Sequence, residues 1–282
     1  MKTVIVTGTS SGIGLDTVVA LASQGWRVFA TMRNTARSGP LETALADAGV
    51  RDRVEIAQLD VTDAASIATA VEAILSKTGG KLDAVVHNAG VAVGGAFEDI
   101  PDDQSRHVME TNFFGVVALT RALMPTFRKQ RRGRVLIVSS DAAFMGQPGN
   151  AIYCASKWAV EGWAEAAAHE LGLFGIEVVL VEPGPYRTPI WENSPHIMPP
   201  ESPYYAWSEQ LFKAADEHTE RTARDPVEVA RVIVKALDAE RPRFRYPVGP
   251  LARITHAVRG KIPSRLMRRG VSRLLGLNRI RV

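Results

Sequence analysis

Short runs rich in apolar and β-branched residues alternate along the chain with longer stretches in which apolar positions recur every three or four residues. The runs predict strands at 4–7, 27–31, 54–59, 84–87, 134–139, 177–181 and 244–248. Between them, helical periodicity covers the stretches near 14–24, 40–48, 63–77, 101–129, 151–173 and 226–239. Val135-Leu136-Ile137-Val138 and Val178-Val179-Leu180-Val181 carry no polar residue, as expected of strands covered on both sides. Strictly alternating strands and helices predict an α/β chain with a doubly wound parallel sheet of about seven strands, helices on both faces, in a single domain over 1–250. The last helix has a written start, with Asp225 as N-cap, Pro226 at N1 and Glu228 at N3.

One stretch breaks the alternation. Residues 184–225 hold six prolines and a cluster of Tyr and Trp. We read it as a long insertion after the sixth strand, and long loops at that end of a doubly wound sheet usually cover a site.

Composition adds compartment and charge. Of 282 residues 46% are hydrophobic and 23% charged, enough to bury a core. Cys154 is the only cysteine, so an internal disulfide is excluded. The first residues enter a strand pattern at once, from which no leader peptide is expected. No apolar stretch reaches the roughly 18 residues of a membrane span. The expectation is a cytoplasmic protein. The net charge of +4 hides an asymmetry: the part from Arg241 onward carries 12 Lys and Arg and no acid, leaving 22 basic and 30 acidic residues before it, a net of −8. An acidic body without a recognition motif argues against nucleic acid.

Two local patterns carry chemistry. Thr7-Gly8-Thr9-Ser10-Ser11-Gly12-Ile13-Gly14 follows the first strand and opens the first helix. Glycines there suit a tight turn, close backbone approach to a pyrophosphate and close helix–strand packing, while the helix N-terminus offers unpaired N–H groups to the phosphates. A site selective for NAD places an acid about 20 residues on, yet no Asp or Glu occurs between 17 and 41. Arg33 and Arg37 stand there instead. A guanidinium suits a 2′-phosphate, which favours NADP(H) over NAD(H); the alternative is a solvated loop charge.

The second pattern is Tyr153 followed four residues later by Lys157, one helical turn apart on one face. A free phenol is ionised in about one molecule in a thousand at neutral pH. A cation within about 4–6 Å stabilises phenolate, lowering its pKa by roughly 1–3 units, so that Tyr153 can exchange a proton with a substrate oxygen.

Taken in order, Thr7 to Gly14, His87-Asn88-Ala89-Gly90, Asn112, Ser140, Tyr153, Lys157 and Pro183-Gly184 resemble the short-chain dehydrogenase/reductase family, in its single-domain branch, across roughly 1–240. The resemblance implies a Rossmann-type sheet and a role for each matching position. Tyr153 resembles the general acid/base and Lys157 its partner and a ligand of the nicotinamide ribose. Ser140, thirteen residues before Tyr153, resembles the serine that binds the substrate oxygen. On a strand Ser139 would face the other way, so only one of the two is expected to reach the site. Asn112 resembles the asparagine that holds a water linking Lys157 to solvent. Gly8, Ser10, Ser11, Gly12, Ile13 and Gly14 resemble the phosphate turn, Asp60 and Val61 the adenine-binding pair, and Asn88, Ala89 and Gly90 the turn beside adenosine. Pro183, Gly184 and Thr188 resemble the carboxamide-holding segment. His87 departs from the usual asparagine and is read as a satisfied strand-end histidine. Cys154 is read as small packing.

Val28 to Arg33 and Arg245 to Gly249 look most like the 17β-hydroxysteroid and retinol dehydrogenase subgroup, which implies a lipophilic ketone or aldehyde and its alcohol. The aromatics Tyr186, Trp191, Tyr204, Tyr205, Trp207 and Phe212 either meet that substrate or pack the insertion's own core. The tail, 251–282, is expected to form two short helices, the second with Met267, Val271 and Leu274 on one face and Arg265, Arg268, Arg269 and Arg273 on the rest. Such a helix reads as a peripheral membrane or partner contact, or as packing over the substrate pocket. Family resemblance implies a homodimer or homotetramer. Two further functions stay open: a non-catalytic nucleotide sensor and a membrane-surface binding protein on the same fold.

Overall fold

The computed structural model describes residues 1–258 and 260–274. The strands are β1 (Thr3–Thr7), β2 (Arg27–Met32), β3 (Val54–Gln58), β4 (Ala84–His87), β5 (Gly94–Gly95), β6 (Gly133–Val138), β7 (Ile176–Pro183), β8 (His196–Ile197) and β9 (Arg245–Val248). Seven form one sheet in the order β3-β2-β1-β4-β6-β7-β9, with every pairing parallel. Chain order reverses between β1 and β4, which opens a crevice beyond the strand ends.

The helices are α1 (Gly12–Ser23), α2 (Gly39–Asp47), α3 (Ala64–Lys77), α4 (Asp102–Met109), α5 (Gly115–Gln130), α6 (Ala151–Gly172), α7 (Pro189–Glu192), α8 (Tyr205–Thr222), α9 (Val227–Asp238), α10 (Pro250–Val258) and α11 (Ser264–Leu274). One face of the sheet buries Val4, Val6, Val28 and Val179 against α1, α2 and α9, through Val18, Leu21, Leu41 and Ile233. The other buries Ile5, Phe29, Val85 and Leu180 against α3, α5 and α6, through Ile74, Leu119, Phe127 and Val160. All-apolar strands are thus buried on both sides, and helical stripes supply the covers.

Three expectations need correction. The single helix over 101–129 is two, α4 and α5, joined by a π-helical turn at Glu110–Phe114. The 184–225 insertion is mostly ordered: it holds α7, a parallel pairing of β8 with β5, and the 18-residue α8. Prolines before 204 hid α8, although Ser208, Leu211 and Phe212 form its buried stripe. At α9, Asp225 caps as expected, accepting from the Val227 N–H at 2.9 Å. Glu228 does not close a capping box; its carboxylate takes bonds from Arg224 Nε at 2.6 Å and Tyr186 OH at 3.1 Å.

Two tail helices form where expected. Met267 and Val271 are half-buried while Arg265, Arg268, Arg269 and Arg273 are exposed. The side chain of Leu274, residue Arg259 and residues 275–282 lie outside the described part, as does the side chain of Trp191.

Candidate functional site

A cavity of about 880 Å³ opens at the carboxyl ends of the strands. At one end lie Gly8, Ser10, Ser11, Gly12, Ile13 and Gly14, with Arg33, Arg37, Asp60 and Val61 beside them. The turn is fitted by contact. A side chain on Gly8 would put its Cβ 2.7 Å from Ala89 Cα, and Gly8 holds φ at +69°. One on Gly14 would stand 2.2 Å from the Gly8 carbonyl oxygen, so the helix meets the turn only because both are glycine. Asn88 locks this arrangement: its amide donates to the carbonyls of Thr7 and Gly8 at 2.9 Å each. The Thr7 hydroxyl accepts from the N–H groups of Asn88 and Ala89 at 3.0 Å.

Ser11 precedes α1 without a side-chain cap bond, so the first N–H groups of the helix point into the cavity without a side-chain partner. That donor set fits a pyrophosphate. Across the cleft, Pro183, Gly184 and Thr188 form the facing wall, Thr188 lying opposite Gly12. Asp60 spends Oδ1 on the N–H and hydroxyl of Thr62, at 2.9 and 2.7 Å. Arg33 and Arg37 are exposed.

Deeper in, Asn112, Ser140, Tyr153 and Lys157 are 2%, 8%, 5% and 6% exposed. Of these, Ser140, Tyr153 and Lys157 line the cavity beside Gly90. Tyr153 and Lys157 stand a turn apart on α6, as their spacing requires. Ser140 hydrogen-bonds Tyr153. Lys157 Nζ donates to the Val138 carbonyl at 3.0 Å and lies 5.7 Å from the centre of the Tyr153 ring. Asn112 sits in the π-helical turn, a device that re-aims side chains at functional sites. Its amide is committed to Val91, accepting from the N–H and donating to the carbonyl at 2.9 Å each, and to Ser156 Oγ at 3.0 Å.

The expected lowering of the Tyr153 pKa by Lys157 is not what the geometry gives. Burial pushes the phenol well above its ordinary value, the Ser140 bond offsets part of this, and the Asp141 carboxylate raises it further. Lys157 itself is lowered to about 8 by burial, with Glu161 one turn on pulling the other way. Glu161 is 1% exposed and pairs with Arg245, which also binds Glu182 and Glu165 at 2.5 Å. This knot ties α6 to β7 and β9 and fixes the helix that carries Tyr153 and Lys157.

Of the two adjacent serines, both border the cavity, but the Ser139 hydroxyl is buried away from it, in keeping with the expectation that one of them serves the site. Only Ser140 bonds Tyr153. His87 is a satisfied core histidine, with Nε2 2.9 Å from Thr120 Oγ1 and a pKa lowered by burial to about 3. Cys154 accepts from the Gln147 N–H at 3.3 Å, and burial pushes its thiol up, which makes it unreactive.

The insertion's aromatics divide. Tyr186 and Phe212 line the main cavity, while Tyr204 and Trp207 line a second one of about 320 Å³ and Tyr205 is exposed. Apolar walls come from Met145, Ile190, Leu211, Phe212, Leu251 and Val271. Leu251 and Val271 belong to α10 and α11, so the tail closes part of the cavity. This is one of the alternatives the sequence left open for the tail, although it did not single out Leu251. Sequence reading missed Asp141, the residue after Ser140, which is 6% exposed and lines the cavity; its signal was an acid directly after Ser140.

A sequence profile for short chain dehydrogenases matches residues 2–197. Human 17-beta-hydroxysteroid dehydrogenase type 1 is 38% identical over 259 residues, 86% of this chain and 76% of that protein. The 3-ketodihydrosphingosine reductase of Bacteroides thetaiotaomicron is 36% identical over 90% of each chain. A crystal structure of a short-chain dehydrogenase from Streptomyces avermitilis is 31% identical and superposes with a TM-score of 0.79 over 99% of this chain and 97% of that one. Solved relatives carry NADP or NADH. With a glycine turn fitted at one end of the cavity, a Ser–Tyr–Lys wall deeper in and sequence likeness along nearly its whole length, the chain belongs to the short-chain dehydrogenase/reductase family of oxidoreductases, of the hydroxysteroid and retinol dehydrogenase-like type.

Proposed function

We propose that the protein interconverts a lipophilic ketone or aldehyde and its alcohol with NADP(H), using Tyr153 as general acid/base. One observation carries this reading: Ser140, Tyr153 and Lys157 share a buried wall of the same cavity whose far end is the glycine turn. The bound dinucleotide supplies the hydride. Ser140 orients the substrate oxygen. Tyr153, held neutral by its burial, gives that oxygen a proton as charge develops on it. Lys157, partly charged near neutrality, hydrogen-bonds the ribose and favours the phenolate left behind. Asn112 braces Val91 and Ser156, which supports a positioning role beside Lys157.

Gly8, Ser10, Ser11, Gly12, Ile13 and Gly14 would hold the pyrophosphate, Asp60, Val61, Asn88, Ala89 and Gly90 the adenosine side, and Pro183, Gly184 and Thr188 the nicotinamide. Arg33 and Arg37, next to Ser11, support a 2′-phosphate and hence NADP(H). The apolar walls support a lipophilic substrate, as do the names of two relatives, 17-beta-hydroxysteroid dehydrogenase and retinol dehydrogenase.

Self-association through α5 and α6 belongs to the same reading, with Phe114 and Trp158 each 49% exposed, and light scattering measures it. So does contact of the arginine-rich tail with an anionic membrane, since Leu266 is 56% exposed among those arginines. Liposome flotation unchanged by deleting residues 261–282 removes that part. Among the described residues no helix is long and apolar enough to cross a membrane.

The test is NADPH oxidation with a panel of hydrophobic ketones. Tyr153→Phe is expected to lower kcat by about 10³-fold with NADPH binding retained. Equal turnover by both proteins refutes the mechanism. Absence of turnover with retained NADPH binding favours the nucleotide sensor.

A further inference from the structure

Among the ionisable groups on the cavity wall that have no part in this chemistry, one is buried directly beside Ser140. Asp141 follows Ser140 at the start of a single helical turn, Asp141–Ala143. It is buried, yet every group that acts on it is neutral: the Ser140 hydroxyl donates to Oδ1 at 3.2 Å, and the Ala142 N–H and the Gln147 side chain add hydrogen bonds. No cation among the described residues contributes. A buried carboxylate without a counter-charge is costly. Holding the turn needs only an acceptor, which a neutral amide would supply, so the charge itself is surplus to the fold.

Its surroundings are polar on one side and greasy on the other. From α6, Tyr153 and Cys154 face it, both sensitive to its charge and both with raised pKa values. Lys157, farther along α6, directs its ammonium to Val138. From α10, His256 meets the same loop edge-on through Phe144, with ring centres 5.2 Å apart, and its Nδ1 lies 3.8 Å from Glu182. His196 of β8 lines the cavity, stacked on Phe212 at 3.9 Å. The same cavity is also lined by the apolar Ile190, Leu211, Phe212 and Leu251, and by a second acid, Asp216, with His107 and His218.

We propose that Asp141 is a specificity residue that pairs with a protonated nitrogen on the carbon next to the reacting carbon, so that the preferred substrate is a long-chain amino ketone or the matching amino alcohol. The reach is right. A substrate oxygen bonded to Ser140 at about 2.8 Å lies no more than about 6 Å from Asp141 Oδ1, given the 3.2 Å Ser140–Asp141 bond. A nitrogen on the adjacent carbon is about one hydrogen-bond length from that oxygen, so when turned toward Asp141 it comes within reach of the carboxylate. A desolvated carboxylate there discriminates strongly, because an uncharged analogue leaves it unpaired. The alkyl chain takes the apolar wall. Burial lifts Asp141 to about 6, so the carboxylate is charged at neutral pH and lost in mild acid.

This inference rests on the oxidoreductase reading for turnover, and two measurements separate the two. In the first, two ketones of equal chain length are compared at pH 7.5, one with a primary amine beside the carbonyl and one with a methyl group there. The ratio of kcat/KM, amine over methyl, is expected to be at least about tenfold above one and to fall by about that factor in Asp141→Asn, mainly through KM. An unchanged ratio overturns the proposal. The second needs no turnover: calorimetric binding of dodecylammonium and of 1-dodecanol. Dodecylammonium is expected to weaken about tenfold relative to dodecanol in Asp141→Asn, and in the wild type between pH 7.5 and 5. Equal binding under all these conditions overturns the proposal. Charge-dependent binding with neither ketone reduced sustains it and refutes the reductase reading alone. Should Asp141→Asn not fold, the wild-type pH series decides.

Discussion

The two ends of the cavity are built on different principles. At the glycine turn the site is backbone: Gly8, Gly14, the open start of α1, and the Asn88 amide that ties turn to strand. All of it but Asn88 lies close in sequence, and its shape follows from what cannot fit. At the other end the walls are side chains from distant segments, Met145, Ile190, Phe212, Leu251 and Val271. Backbone sites tolerate little change and accept one ligand class, whereas side-chain walls can be re-cut without disturbing the sheet. Between the two stand Ser140, Tyr153 and Lys157.

The sharpest way to break this contrast is Gly14→Ala. The added Cβ meets the Gly8 carbonyl, and a loss on the order of 3 kcal/mol is expected, together with loss of NADPH binding by fluorescence titration. A stable variant that binds NADPH would show the turn to be as adaptable as the far wall. Asp141→Asn tests the junction. Because the folded pKa of Asp141, about 6, lies above its ordinary 3.8, the group stabilises the fold fully below about pH 4. That contribution is lost as pH rises through 6. The variant is therefore expected to gain ~3 kcal/mol over wild type at pH 8 relative to pH 4, read from denaturant titrations. Equal pH dependence would mean that Asp141 is not desolvated.

Phe212→Ala tests the re-cut wall. Here kcat/KM for a hydrophobic ketone should fall roughly 10–30-fold through KM, with NADPH affinity unchanged. A parallel loss of NADPH binding would mean that the two ends are mechanically one. The smallest effect is expected for Arg33→Ala, since the side chain is exposed: NADPH weakens about tenfold and NADH much less. Equal effects would remove the 2′-phosphate assignment.

Much of this contrast was legible beforehand. Seven sheet strands were placed within a residue or two because each is a short run rich in apolar and β-branched residues between helical stretches. The glycine turn and the Tyr153–Lys157 pair were readable because local geometry alone, a strand–turn–helix junction and one helical turn, sets their spacing. The failures share a cause. The break at Glu110–Phe114 and the α8 helix depend on what each segment packs against. Helical periods continue on paper until a tertiary contact interrupts them. The phenol's raised pKa is the same lesson in electrostatics: spacing predicted an attractive cation, while burial proved the larger effect.

The sequence by itself determined the sheet, most of its covering helices and the placing of the glycine turn and the Tyr153–Lys157 pair, since those follow from periodicity and from steric limits within a few residues. Only the tertiary structure decided that α10 and α11 close the cavity, that Arg245 knots α6 in place, and that Asp141 stands buried without a counter-charge beside the reacting centre. Burial and charge pairing are properties of neighbours brought together across the chain, and no local pattern encodes them.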